Sequence, residues 1–324
     1  YENAYTIYLN SIGGGRVTRR KHSKGVEKAA SFLFTALFPD EASAEASIAA
    51  EKPVYNDKLV TLLIGIDYKG SDYELENCIH DIEHVMDRFL KPKLSVSDHE
   101  MIVMSDFKEG TDLYPTRRNI LKQFDNFVER ANVSKHAYMH YSGHGSYVRD
   151  TDGDEKDKRD EALCPIDSAY EGFIADDVIY EYLVKALDSD VKFTAVTDCC
   201  HSGTIMDLPY KWTVDGGYSF EHMTDPSKEL KNLPNVVMIS GCKDKQTSSD
   251  GGEIIGSSKG AGALTAAYLE TLRECNYQIT YRELLTKIRA RLHDDGFDQV
   301  PQLSSTYKLN LDDYFITNGA SLRP

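Results

Sequence analysis

Two short stretches carry the residue types of nucleophilic catalysis. Residues 191–203 read V-K-F-T-A-V-T-D-C-C-H-S-G, an apolar, β-branched run ending in an acid, two cysteines, a histidine and a Ser-Gly turn. Residues 137–145 read A-Y-M-H-Y-S-G-H-G, a second strand-like run that ends in Ser-Gly-His-Gly. A cysteine attacks an acyl carbon as its thiolate, and a free thiol at neutral pH is mostly protonated. A neighbouring histidine takes that proton and later delivers one to the leaving amine. Cys200 and His144 are the expected pair, with the amides of Gly145 and Cys200 as donors to the developing oxyanion. Cys199 alternates to the opposite side of the strand and reads as a packed neighbour. His201 is the rival base, but adjacent residues rarely present both side chains to one substrate atom. The bland alternative makes His144 a turn residue and the cysteines small buried hydrophobes. Thiol redox chemistry by the vicinal pair ranks last, since redox motifs usually space their cysteines by two. The residues themselves offer no third group to orient the imidazole.

These stretches need a scaffold, and the pattern from residue 59 onward supplies one. Residues 59–66 form an apolar run of strand length, followed by a helical stripe over 75–90 and a strand over 99–105. A helix starting near Pro115, a strand over 136–141, a helix over 177–187 and strands over 191–197 and 236–240 come next. Amphipathic helices over 263–272 and 281–292 and a late strand over 304–309 complete the chain. Such alternation predicts an α/β fold, a mostly parallel central sheet with helices on both faces. Ligands in these sheets bind beyond the carboxyl ends of the strands, where His144 and Cys200 stand. Three stretches, 149–167, 203–232 and 244–260, interrupt the pattern and read as long functional loops.

Residues 1–57 differ. A glycine triplet, a basic cluster and an apolar helical stripe over 26–38 describe an N-terminal arm, leaving 58–324 as the main domain. Lying across an acidic cleft as a substrate-like plug is one role for this arm; plain packing is the other.

The net charge of −15 argues against nucleic-acid binding, which needs basic surface, and suits a cationic ligand or simple solubility. No apolar run approaches the ~18 residues of a membrane span. No basic n-region with an apolar core opens the sequence, so no signal peptide is read. Six irregularly spaced cysteines within apolar runs fit a reducing compartment, hence a cytoplasmic protein.

The order and spacing of Y-S-G-H-G and D-C-C-H-S-G resemble the metacaspases, a branch of the caspase-like clan of cysteine peptidases. Residues 63–68 (L-I-G-I-D-Y), 150–155 (D-T-D-G-D-E) and 239–244 (I-S-G-C-K-D) agree, and the resemblance runs from about residue 59 to the end. It implies a caspase-like three-layer sandwich, a Cys200/His144 dyad, and cleavage of protein or peptide substrates after Arg or Lys. Asp198, alternating onto the side of Cys200, would help bind the basic side chain, together with Asp81 and Ser142. The sequence departs from the family here: L-E-N-C-I-H-D stands where L-x-G-C-x-N-D is usual. The resemblance also implies calcium, held by Asp160, Asp176, Asp177 and Asp207, with Asp207 positioned to order the segment after the nucleophile. Residues 150–161 imitate an EF-hand loop but lack its glycine at position six. A monomeric zymogen is a further expectation, with Lys259 as a point of self-cleavage. A non-catalytic, calcium-responsive scaffold on the same fold is the competing reading.

Overall fold

Strand β1 (Val60–Gly65) is buried along its whole length, as an unbroken apolar run requires of a strand covered on both faces. The computed structural model describes residues 58–149, 159–199, 203, 205–214, 218–222, 232–241, 262–297 and 299–315. The N-terminal arm, residues 150–158, Cys200, His201 and Lys259 therefore lie outside the described residues. All the described elements belong to one compact unit, Tyr55–Pro324.

In chain order the further strands are β2 (Met101–Ser105), β3 (His136–Ser142), β4 (Gly145–Arg149), β5 (Arg159–Leu163), β6 (Ile174–Ala175), β7 (Lys192–Asp198), β8 (Tyr210–Val214), β9 (Tyr218–His222), β10 (Asn235–Ser240) and β11 (Gln302–Ser305). Among the described residues the main sheet has the order β2-β1-β3-β7-β10-β11-β8-β9. Its first five strands run parallel, while β11, β8 and β9 are antiparallel. A second, three-stranded antiparallel sheet is made of β4, β5 and β6.

The helices are α1 (Cys78–Val85), α2 (Arg117–Ser134), α3 (Asp176–Ile179), α4 (Ala263–Glu274) and α5 (Tyr281–Asp294). Two of the long helices have a clear reason to start where they do. The Thr116 hydroxyl caps α2 by accepting from the Asn119 amide, and Thr280 and Glu283 form a reciprocal capping box on α5. Beyond Val85, α1 widens into a π-helical stretch at Met86–Leu90 and continues to Leu94.

Strand alternation sorts the core into two layers. Leu62, Ile64, Met139, Tyr141, Phe193, Ala195 and Cys199 join the stripe of α2 (Ile120, Phe124, Phe127) on one face. Leu63, Tyr138 and Val196 join α1, α4 and α5 on the other. Helices thus cover both faces, a three-layer α/β sandwich.

Several expectations needed correction. The late strand is β11, Gln302–Ser305, shorter than and shifted from residues 304–309 because the turn at Thr306 returns its hydroxyl to Pro234. Two of the supposed loops contain strands: β4 and β5 flank 150–158, and β8 and β9 fall within 203–232. Polar, charged residues mask these ladders, so no apolar run marks them. The helix expected over 177–187 is one turn of α-helix, Asp176–Ile179, followed by a π-helical stretch, Tyr180–Val184. Strands on both sides of 150–158 also exclude an EF-hand, which needs helices there.

Candidate active site

The register of two central strands brings the two catalytic stretches together. Neighbouring parallel strands β3 and β7 pair Ser142 with Asp198, so His144 and Cys200 each stand two residues beyond partnered positions. Cys200 itself lies outside the described residues. Asp198 is fully buried on the α1/α4 side, and Cys199 is buried in the opposite layer.

His144 is buried and held on every side. Its Nε2 lies 2.7 Å from the Tyr73 carbonyl oxygen. A carbonyl has no proton to give, so Nε2 carries one, and Nδ1 of the neutral ring keeps its lone pair for proton transfer. The Tyr73 carbonyl is the orienting group that side-chain patterns did not offer. The His144 amide donates to the Tyr68 hydroxyl at 3.0 Å, which donates onward to the Cys164 carbonyl at 2.6 Å. The Tyr141 hydroxyl donates to the His144 carbonyl at 2.8 Å, and the Tyr68 ring lies 4.8 Å from the imidazole. Burial lowers the His144 pKa from its ordinary value, against the Tyr73 carbonyl, which raises it.

Local backbone explains why this cradle forms. Tyr68 takes a left-handed conformation with φ 53°, costly for a bulky residue, and Ser71 stabilises the turn by donating to its carbonyl. The Asp106 carboxylate accepts from the amides of Asp67 and Lys69, and Asp67 accepts from the Ile79 amide at the start of α1. Gly143 leaves room: a Cβ there would stand 2.8 Å from the Tyr141 hydroxyl oxygen. Gly145 faces Leu163, and the Cys164 amide donates to the His144 carbonyl. That pattern makes Gly145 and Leu163 a non-hydrogen-bonded pair, so the Gly145 N–H is directed away from the ladder, as an oxyanion donor must be.

Beside the dyad stretch, two carboxylates share one buried place. Asp81, in the first turn of α1, accepts from the Ser142 hydroxyl at 2.6 Å. Asp198 takes two hydrogen bonds on Oδ2, from the amide and the hydroxyl of Thr265 at 2.7 and 2.8 Å. Its Oδ1 is buried without a hydrogen-bond partner among the described residues. Burial raises both carboxyls, and the charge of Asp198 raises Asp81 further. Asp81 opens onto a groove of about 400 Å³ between α1 and the start of α4, where Gly262 forms the wall. Gly262 has φ 86°, and a Cβ there would lie 3.1 Å from Asp81 Oδ1. Cys78, one helical turn before Asp81, is fully buried, and burial pushes its thiol up. Its i, i+3 spacing places it on the same helix face as Asp81, although it is packed in the core and does not line the groove.

A third group of acids lies at the junction of β5 and α3. Oxygens of Asp160, Asp176 and Asp177 lie within 4.8 Å of one another. Asp176 is buried, accepts from the amides of Glu161 and Asp177, and is pushed up to about 9 by burial and then by the charge of Asp207. Asp207, half-buried with φ 46°, is near enough for its charge to act on Asp176, but the cluster within 4.8 Å comprises the other three. An all-carboxylate donor set of this kind suits a hard divalent cation.

Comparison with known proteins agrees with this geometry. A family model described as "Metacaspase, peptidase C14 domain" matches residues 60–209. Metacaspase-2 of Trypanosoma brucei brucei is 35% identical over 81% of this chain and 77% of its own. Metacaspase-1A of Neurospora crassa is 31% identical over 96% of this chain and 76% of its own. A crystal structure of a Geobacter sulfurreducens protein, 22% identical, covers 79% of this chain and 97% of its own with a TM-score of 0.51, and shares the fold.

Proposed function

This chain belongs to the metacaspases, cysteine peptidases of caspase-like fold, and from that premise we propose a calcium-stimulated endopeptidase that cleaves after Arg or Lys. The observation that carries the specificity is the buried pair of Asp81 and Asp198. Two carboxylates out of water, each opposing the other's charge, are relieved by a cation and by little else. A guanidinium or ammonium reaching them replaces the repulsion with paired, charge-assisted hydrogen bonds. An acidic side chain would add a third like charge. Ser142 then serves as the hydroxyl that fixes Asp81.

The chemistry is set by the His144 tautomer. The Cys200 thiol gives its proton to Nδ1, and the thiolate attacks the carbonyl carbon of the basic residue. The oxyanion is held by the Gly145 amide with that of Cys200. Nδ1–H then protonates the leaving amine, giving a thioester, which a water activated by the same nitrogen hydrolyses. Throughout, Nε2–H stays on the Tyr73 carbonyl, so the ring does not rotate out of line.

Asp160, Asp176, Asp177 and Asp207 would hold calcium, which supplies positive charge to a cluster that otherwise keeps Asp176 protonated. Because Asp207 stands seven residues past Cys200, its capture is the proposed route by which the metal orders the nucleophile's segment. The N-terminal arm as a plug, self-cleavage at Lys259, a monomeric state and a cytoplasmic location remain part of the same proposal.

The test is hydrolysis of fluorogenic peptides ending in Arg, Lys or Asp, with and without calcium, by the wild type and Cys200→Ala. Arg and Lys peptides are cleaved, calcium raises the rate, and Cys200→Ala is inert. An Asp207→Ala protein held at the low, calcium-free rate whether or not calcium is added supports the switch role. One that still responds fully, or that is fully active without calcium, overturns it. Cleavage of the Asp peptide in preference to Arg overturns the specificity.

A further inference from the structure

The carboxylate pair is not symmetrical, and a buried polar chain makes the difference. Thr265, near the start of α4, gives both its amide and its hydroxyl proton to Asp198 Oδ2. A hydroxyl has one proton, so Thr265 Oγ1 must accept from whatever else it bonds. That partner is His140 Nε2, 3.0 Å away on β3, fully buried and on the same strand face as Ser142. His140 Nε2 therefore carries a proton, and its Nδ1 accepts, with the Tyr138 hydroxyl 3.3 Å distant as donor. All donors in the row Tyr138, His140, Thr265 point towards Asp198.

Burial keeps His140 neutral, its pKa pushed down to about 3, so the row carries oriented dipoles rather than a competing charge. Asp198 is the more deeply buried carboxyl of the two, and burial raises both. The two hydrogen bonds from Thr265 favour its charged form and offset part of that burial cost. Asp81 receives a single hydroxyl, from Ser142, so these donors favour ionisation of Asp198 over Asp81. With Oδ2 taken up by Thr265, Oδ1 of Asp198 is buried with no hydrogen-bond partner among the described residues.

We infer that Thr265, aligned by His140, is a specificity-determining positioning residue that holds Asp198 as the ionised partner for the basic side chain of the substrate. The inference rests on the reading of Asp198 as part of the pocket for that side chain, and it adds the residues that assign the charge.

The experiment compares peptide substrates ending in Arg with the same peptides ending in citrulline, its uncharged isostere, in the full chain with calcium. Thr265→Val keeps the shape and the amide but removes the hydroxyl. The expected result is a loss of the Arg-over-citrulline ratio by about tenfold, carried by KM with kcat retained, from one missing charge-assisted bond. Thr265→Ser restores the hydroxyl and most of the ratio, and His140→Phe shows the same KM effect as Thr265→Val. Alkylation of Cys200 by iodoacetamide, which needs no basic side chain, reports that each variant has folded; should Thr265→Val not fold, Thr265→Ala takes its place. Asp198→Asn is the control. If it abolishes the preference while Thr265→Val leaves it intact, the positioning role is wrong and the pocket stands. If Asp198→Asn keeps the preference, the pocket reading itself fails.

Discussion

Replacing Asp81 by Asn should make this protein more stable while weakening, not abolishing, its preference for basic residues. Asp81 and Asp198 lie out of water and oppose each other's ionisation, so near neutral pH folding takes up close to one proton that the unfolded chain lacks. A carboxyl raised in the folded state contributes most stability below its unfolded value, and loses it as pH rises towards its folded value. With an unfolded carboxylate near 3.9, each pH unit costs about 1.36 kcal/mol. One proton taken up then costs about 5 kcal/mol at pH 7.5 and about 1.5 kcal/mol at pH 5. Asn removes the ionisable group, still accepts from the Ser142 hydroxyl, and offers an amide donor beside Asp198. Urea unfolding of the wild type and Asp81→Asn at both pH values is the assay. The variant should gain stability at pH 7.5, by about 3 kcal/mol more than at pH 5. An equal gain at both pH values, or a loss at pH 7.5, refutes the argument that the pair stores electrostatic cost for the substrate cation to relieve.

Other outcomes rest on single contacts. Tyr68→Phe leaves the buried His144 amide and Cys164 carbonyl without their hydroxyl; about tenfold lower kcat at unchanged KM is expected, with unchanged kcat counting against the cradle. Since burial lowers the His144 pKa and the neutral ring is the active form, activity is lost only as pH falls below the ordinary histidine value of about 6.5; an acid limb of kcat at or above that value contradicts it. Gly262→Ala places a Cβ against Asp81 in a left-handed backbone; it should destabilise by about 1 kcal/mol or more and lower kcat/KM for Arg peptides beyond any effect on iodoacetamide alkylation of Cys200. Asp176→Asn should raise the calcium concentration for half-maximal stimulation at least about tenfold, by removing a charged ligand; an unchanged calcium curve would remove Asp176 from the site.

The central architecture was legible because its strands are buried on both faces. β1, β3, β7 and β10 read as apolar runs, and their order of motifs placed Ser142 and Asp198 near the sheet's carboxyl end. What could not be read depends on partners without sequence signatures. The Tyr73 carbonyl that fixes the imidazole is a main-chain atom, and any residue type would supply it. Thr265 lies 67 positions from Asp198 and looks like an ordinary residue near a helix start. The small β4-β5-β6 sheet and the β8–β9 hairpin mix polar and apolar residues, so neither period dominates. The widened turns at Met86–Leu90 and Tyr180–Val184 also keep a helical stripe, and only the backbone distinguishes them.

Strand β11 comes late in the chain but sits between β10 and β8, with β9 beyond it. Helix α4, also late, reaches back to hold Asp198 through Thr265. A backbone break anywhere between residues 241 and 262 would thus divide the chain without dividing the enzyme. The larger piece would keep both catalytic stretches, and the smaller one would remain laced into its sheet by hydrogen bonds on two sides. Such a nicked protein would migrate as two bands when denatured and elute as one species when native. For this topology, cutting the chain is a change of connectivity, and the fragments act as a heterodimer already assembled.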